Sequence, residues 1–106
     1  MSFQQDAAEA LIAEARLAIL AELARQRDET LNSLAITRVV DALGIRRSRE
    51  WIETQMIKLE DLGAVTLHHS DLAGLGRVIV ATLTEAGRDH VERRGAIAGV
   101  ATPRGH

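Results

Sequence analysis

The sequence contains no cysteine and no tyrosine. Without cysteine, disulfides and thiolate metal ligands are excluded. Aromatic residues are confined to Phe3 and Trp51, so a core has to be assembled from Leu, Ile, Val and Ala. That palette suits closely packed helices, because alanine lets backbones approach. No apolar run nears the ~20 residues that a membrane span requires. The amino end carries Asp6 and Glu9 and lacks a basic leader ahead of an apolar stretch, so no secretory signal is expected. A cytoplasmic location with no membrane partner is the resulting expectation. At 106 residues the chain suffices for one domain with a real core, but not for two.

An excess of positive charge is also lacking, since the formal net charge is −2. Phosphate neutralisation drives non-specific affinity for nucleic acid, so this sum disfavours such a partner. Distribution matters more than the sum. Residues 1–29 hold three arginines against six acids, whereas residues 30–63 balance five basic residues against five acidic ones. Arg46, Arg47 and Arg49 form the densest basic cluster.

That cluster sits inside the stretch around which the chain is organised, Thr37 to Val65. Gly44 falls where a first helix must stop, because glycine takes a left-handed backbone angle at little steric cost. Ser48 is a good N-cap for a second helix. From there Ile52, Met56, Leu59 and Leu62 recur with the period of one helical face, and Gly63 ends the run. Two helices joined by a short glycine turn suggest a helix-turn-helix, whose second helix enters a major groove.

The remainder fits around this unit. A long helix is predicted over residues 5–27, with Ala8, Ile12, Ala15, Ile19 and Leu23 on its apolar stripe. Leu11, Leu20 and Ala24 widen the stripe beyond what one small domain needs; it either packs on the core alone or, the favoured reading, partly meets the same helix of a second copy. Residues 27–33 read as a polar connector. Asn32 or Ser33 would cap a helix over residues 34–43, with Leu34, Ile36, Val39, Val40 and Leu43 facing inward. Residues 64–69 and 77–83 read as strands joined by a loop carrying Asp71, Gly74 and Gly76. Thr84 caps a last helix running to about Arg94, before Gly95. Residues 96–106 are small and mixed, and are expected to form a flexible tail. The predicted class is therefore mainly α with a small antiparallel β-hairpin, in the order α-α-α-β-β-α, with residues 1–95 as a single domain.

In this order the chain resembles winged helix-turn-helix transcriptional regulators of the ArsR and MarR type. RLAILAEL in the first helix, IETQMIKLEDLGAV at the third and LTEAGRDHVE after the second strand carry the resemblance, across about Ala15 to Arg94. Similar small winged helices also occur in bacteriophage and prophage genomes. The resemblance implies a homodimer that binds double-stranded DNA, with the helix over residues 48–62 in the major groove and the hairpin as a wing. Its outward residues would be Arg49, Glu50, Glu53, Thr54, Gln55 and Lys58. Arg49 would reach guanine, Gln55 adenine and Lys58 phosphate. Arg46 and Arg47, beside Ser48, would hold the backbone and set register. Arg77, expected at the base of the wing, is the only basic residue there. The chain departs from the family in two ways. Its hairpin loop, DLAGLG, lacks the arginines usual in MarR-like wings, and its recognition helix carries Glu50, Glu53, Glu60 and Asp61. An alternative is therefore a winged-helix module for protein contacts, for instance in a phage assembly, without sequence-specific DNA binding.

Other constellations point elsewhere only weakly. Trp51 precedes core position Ile52 and is expected to cover the edge of the core. His68, His69, Asp71 and His90 raise a metal hypothesis, but adjacent strand residues point to opposite faces, so His68 and His69 cannot readily share an ion. GLGR at residues 74–77 precedes a strand, whereas a phosphate loop follows a strand and opens a helix. No Ser/His/Asp arrangement or convergent carboxylate pair appears. Neither an enzyme nor a cofactor, a metal site or a small-molecule ligand is expected.

Overall fold

The computed structural model describes residues 3–74 and 76–104. Among them run, in order, α1 (Phe3–Arg25), β1 (Thr30–Asn32), α2 (Ser33–Ala42), α3 (Arg49–Asp61), β2 (Val65–Leu72), β3 (Gly76–Leu83) and α4 (Glu85–Val91). The expected order α-α-α-β-β-α needs one correction. The connector after α1 contains a three-residue strand, β1, which pairs antiparallel with β3 as Thr30 with Thr82, Leu31 with Ala81 and Asn32 with Val80. Asp28 prepares this turn by accepting from the Thr30 amide at 3.2 Å. The sheet is thus three-stranded, in the order β1-β3-β2, with all pairs antiparallel. A central β3 explains its branched run: Val78 and Ile79 are buried and Val80 is half-buried, with Ala81 and Leu83 buried beyond them.

Local chemistry sets the helix ends. Asn32 Oδ1 accepts from the Ala35 amide at 2.9 Å, and Ser48 Oγ accepts from Trp51 at 3.1 Å. Thr84 Oγ1 accepts from Gly87 at 3.1 Å. Each side chain satisfies an amide that the first helical turn leaves open. Gly44 closes α2 at φ +96°, and the next amide, of Ile45, donates back to Val40 at 2.9 Å. This turn drops Ile45 against the core and brings the chain to Ser48.

The core gathers Ile19, Leu20 and Leu23 of α1, Ile36 and Val40 of α2, Ile52, Met56 and Leu59 of α3, and the inner residues of the sheet. Two expected core residues are corrected: Leu43 is 58% exposed and Leu62 is 38% exposed. Each is the C-cap residue of its helix, α2 for Leu43 and α3 for Leu62, where the chain leaves the helical path. The amino-terminal part of α1 is also outside the core; Ala8 is exposed and burial begins at Ala15.

The segment after Gly95 makes specific contacts where a flexible tail was expected. Val100 is buried and joins the core, and the Ala101 amide donates to the Ala13 carbonyl at 3.1 Å. Arg16 holds the Gly99 carbonyl at 3.1 Å, and Arg104 reaches Glu14 at 3.1 Å. Residues 105 and 106 of that expected tail, and Leu75 in the hairpin loop, lie outside the described residues.

At the base of the fold, Arg88 ties α4 to the turn after α1. It pairs with Glu29 and with Glu92, and donates to the Ala24 carbonyl at 3.3 Å. Glu29 holds a left-handed φ of 59°, which turns its carbonyl to the Leu83 amide at 2.9 Å. Glu92 also pairs with Arg94. Hydrogen bonds from Arg88 and then Arg94 hold the Glu92 carboxyl below its ordinary range, and Glu92 in turn raises both guanidinium groups.

Candidate nucleic-acid interface

α3 buries one face and presents another, and the boundary falls differently from expectation. Ile52, Gln55, Met56 and Leu59 face inward. Gln55 is 5% exposed, and its Oε1 accepts from Arg16 Nε of α1 at 2.9 Å. It is therefore removed from the outward set: the amide neighbours the apolar stripe, and Arg16 arrives to satisfy it. The contact joins residues 39 apart, so nothing near Gln55 in the sequence announces it.

Glu53 and Arg49 are also partly withdrawn. The Glu53 carboxylate accepts the Ser33 hydroxyl at 2.7 Å and lies 3.8 Å from Arg49. Ser33 is completely buried, and its oxygen accepts the Ile79 amide of β3 at 3.1 Å. One hydroxyl thus links α2, α3 and the central strand. Glu60 is likewise committed, because it accepts from the Leu67 amide of β2 at 2.9 Å. Two of the four carboxylates that seemed hostile to phosphate are occupied within the subunit.

What α3 exposes, besides Glu60, is Glu50, Thr54, Ile57, Lys58 and Asp61. The Thr54 hydroxyl donates to the Glu50 carbonyl at 3.0 Å, so its proton is already engaged while the side chain is exposed. Ile57 was not singled out in the sequence, although it lies off the register of Ile52, Met56 and Leu59; it is 49% exposed. Ahead of the helix, Arg46, Arg47 and Ser48 are exposed. The Arg47 guanidinium lies 5.2 Å from the Trp51 ring centroid, a cation–π distance, and the half-buried Trp51 covers the edge of the core. Among the described residues no carboxylate pairs with Arg46, Arg47 or Lys58, and Arg38 on α2 is exposed as well.

Arg77 is not at the base of the hairpin as expected: it is opposite Asp71, one pair from the tip, because β3 begins at the loop. Their charged groups are 4.0 Å apart and about three-quarters or more exposed (74% and 81%), a pair that holds little energy in water. The eight residues of β2 extend about 25 Å, so Arg77 is carried well out from the α3 end of the sheet.

The histidines do not converge. His68 and His69 are exposed on successive positions of β2, and His90 is buried with both ring nitrogens on backbone groups. Among the described residues, no three histidine, aspartate or glutamate side chains come together as a metal site. Nor is any helix there long and apolar enough to cross a membrane.

No protein family matches the chain, and no curated protein or solved structure does either.

Proposed function

We propose that the chain is a winged-helix DNA-binding protein, acting as a homodimer and serving as a transcriptional regulator. In this reading α3 enters the major groove and the β2–β3 hairpin is the wing. The observation that carries it is the charge left exposed once internal partners are removed. From residue 46 to residue 61, Arg46, Arg47 and Lys58 face solvent with Glu50, Glu60 and Asp61; Glu53 is drawn in by Ser33, and two of the three exposed acids lie at the far end of the helix, where Glu60 also accepts from the Leu67 amide. The positive charge gathers at the amino end of α3, where the open amides of a helix also favour an anion.

The roles shift accordingly. Arg46 and Arg47 hold phosphates, with Lys58 farther along the helix and Arg77 from the wing. Base edges fall to Glu50, Thr54 and Ile57, which suit cytosine N4 and a thymine methyl. Arg49 supports Glu53 in place of reading guanine.

Titration of a mixed-sequence duplex at several salt concentrations tests this. Changing Arg46 and Arg47 to Ala should weaken binding and lower the salt slope by roughly 1.8, at ~0.9 per phosphate contact. Light scattering should give twice the monomer mass.

A second reading rests on Ile57. An aliphatic side chain half exposed between Glu50 and Asp61 suits a protein partner, and Leu43 and Leu62 are exposed at the carboxyl ends of α2 and α3. Absence of duplex binding even at low salt would favour this interaction module.

A further inference from the structure

His90 is 3% exposed, and both ring nitrogens are engaged by the segment that follows it. Nε2 lies 2.8 Å from the Ala101 carbonyl, so it must carry the proton and donate. Nδ1 lies 3.0 Å from the Ile97 amide, so it must be bare and accept. One neutral tautomer satisfies both, and the ring clasps residues 97 and 101 together. Between them Val100 enters the core, and Ala101 and Gly99 bind α1 through Ala13 and Arg16.

We infer that His90 is a proton-sensitive clasp, holding residues 96–104 against α1 while neutral and releasing them when its ring is charged. A proton on Nδ1 would aim one N–H at another, that of Ile97. The buried imidazolium would gain no anion in return. Apart from the exposed Glu85 on α4 and Asp6 and Glu9 near the start of α1, the charged groups on the elements around it are engaged elsewhere. On α4 and just beyond it, Asp89 binds Arg94, Glu92 binds Arg88 and Arg94, and Arg93 donates to the Pro103 carbonyl at 2.7 Å. On α1, Glu14 binds Arg104, and Arg16 binds Gln55 and Gly99. With both bonds closed the ring has no place for a second proton, so charging it requires the strap to lift. The surface uncovered on release is α1 around Ala13 and Arg16.

Amide exchange and imidazole NMR from pH 8 to pH 5 test the clasp, with His68, His69 and His106 changed to Gln so that the His90 signals are unambiguous. After correction for intrinsic rates, the Ile97 and Ala101 amides should lose protection by roughly tenfold or more as the His90 ring charges. Core amides of α3 should keep theirs. His90→Asn, which retains an acceptor near Nδ1 but cannot charge, should abolish the pH dependence; His90→Gln is the substitute if it folds poorly. The inference is overturned if the ring charges without loss of strap protection, if it stays neutral until the whole domain unfolds, or if the uncharged variant shows the same pH dependence.

Discussion

Removing one oxygen should unsettle α2, α3 and the sheet together. In Ser33→Ala the buried Ile79 amide loses its acceptor and the Glu53 carboxylate loses its donor. A buried amide without a partner costs about 1–3 kcal/mol, and a hydrogen bond to a charged group contributes about 1.5–3 kcal/mol. The Glu53 side chain is 21% exposed and keeps Arg49 nearby, so water offsets part of the second loss. Alanine at this first position of α2 returns about 0.5 kcal/mol of helix propensity. The net expectation is a loss of about 3 kcal/mol, a large share of the ~5–15 kcal/mol that holds a domain together. Thermal unfolding followed by circular dichroism should show Tm lowered by about 12 °C or more. A double-mutant cycle with Glu53→Ala isolates the shared bond and should give a coupling of about 1–2 kcal/mol. A loss under 1 kcal/mol for Ser33→Ala, or strictly additive single effects, would refute the three-way link.

Gly87→Ala sets helix propensity against packing: alanine favours a helix by about 1 kcal/mol, but its Cβ would lie 2.2 Å from the Ala64 carbonyl oxygen. Packing should win, and a raised Tm would show that α4 can shift away. Gln55→Ala should lower stability by stranding Arg16 Nε, yet leave any base preference in duplex binding unchanged; an altered preference would return Gln55 to the reading surface. Glu92→Gln addresses acid stability. The folded state holds Glu92 below its ordinary value of 4.5, so its contribution is present above that pH and lost as pH falls through the depressed range. The variant should therefore show a shallower acid limb in denaturant titrations than the parent, and an unchanged limb would mean that the Arg88 and Arg94 pairs contribute nothing.

Features written locally were legible in the sequence. Ser48 and Thr84 cap their helices because a hydroxyl before an amphipathic run satisfies an amide three residues on. The branched run from Val78 to Val80 marked a strand, and Gly44 marked the turn. Features written across long separations were not. Three residues are too few for the alternation of β1 to show, and its partner lies some fifty residues away. Gln55 reads as polar and outward until Arg16 is brought beside it. Ser33 looked like one of two possible N-caps; Asn32 does the capping, and Ser33 is freed for the interior. The small residues after Gly95 showed no periodicity, because a strap held by backbone carbonyls and one histidine needs none.

The short edge strand also bears on how the chain reaches this state. β2 and β3 are joined by a tight loop, so their pairing closes with little entropy lost. β1 can dock on β3 only after α2, α3 and that hairpin have been laid down between them, across a span from Thr30 to Thr82. Its three rungs should be the last of the ladder to zip and the first to open, giving the sheet one early margin and one late one.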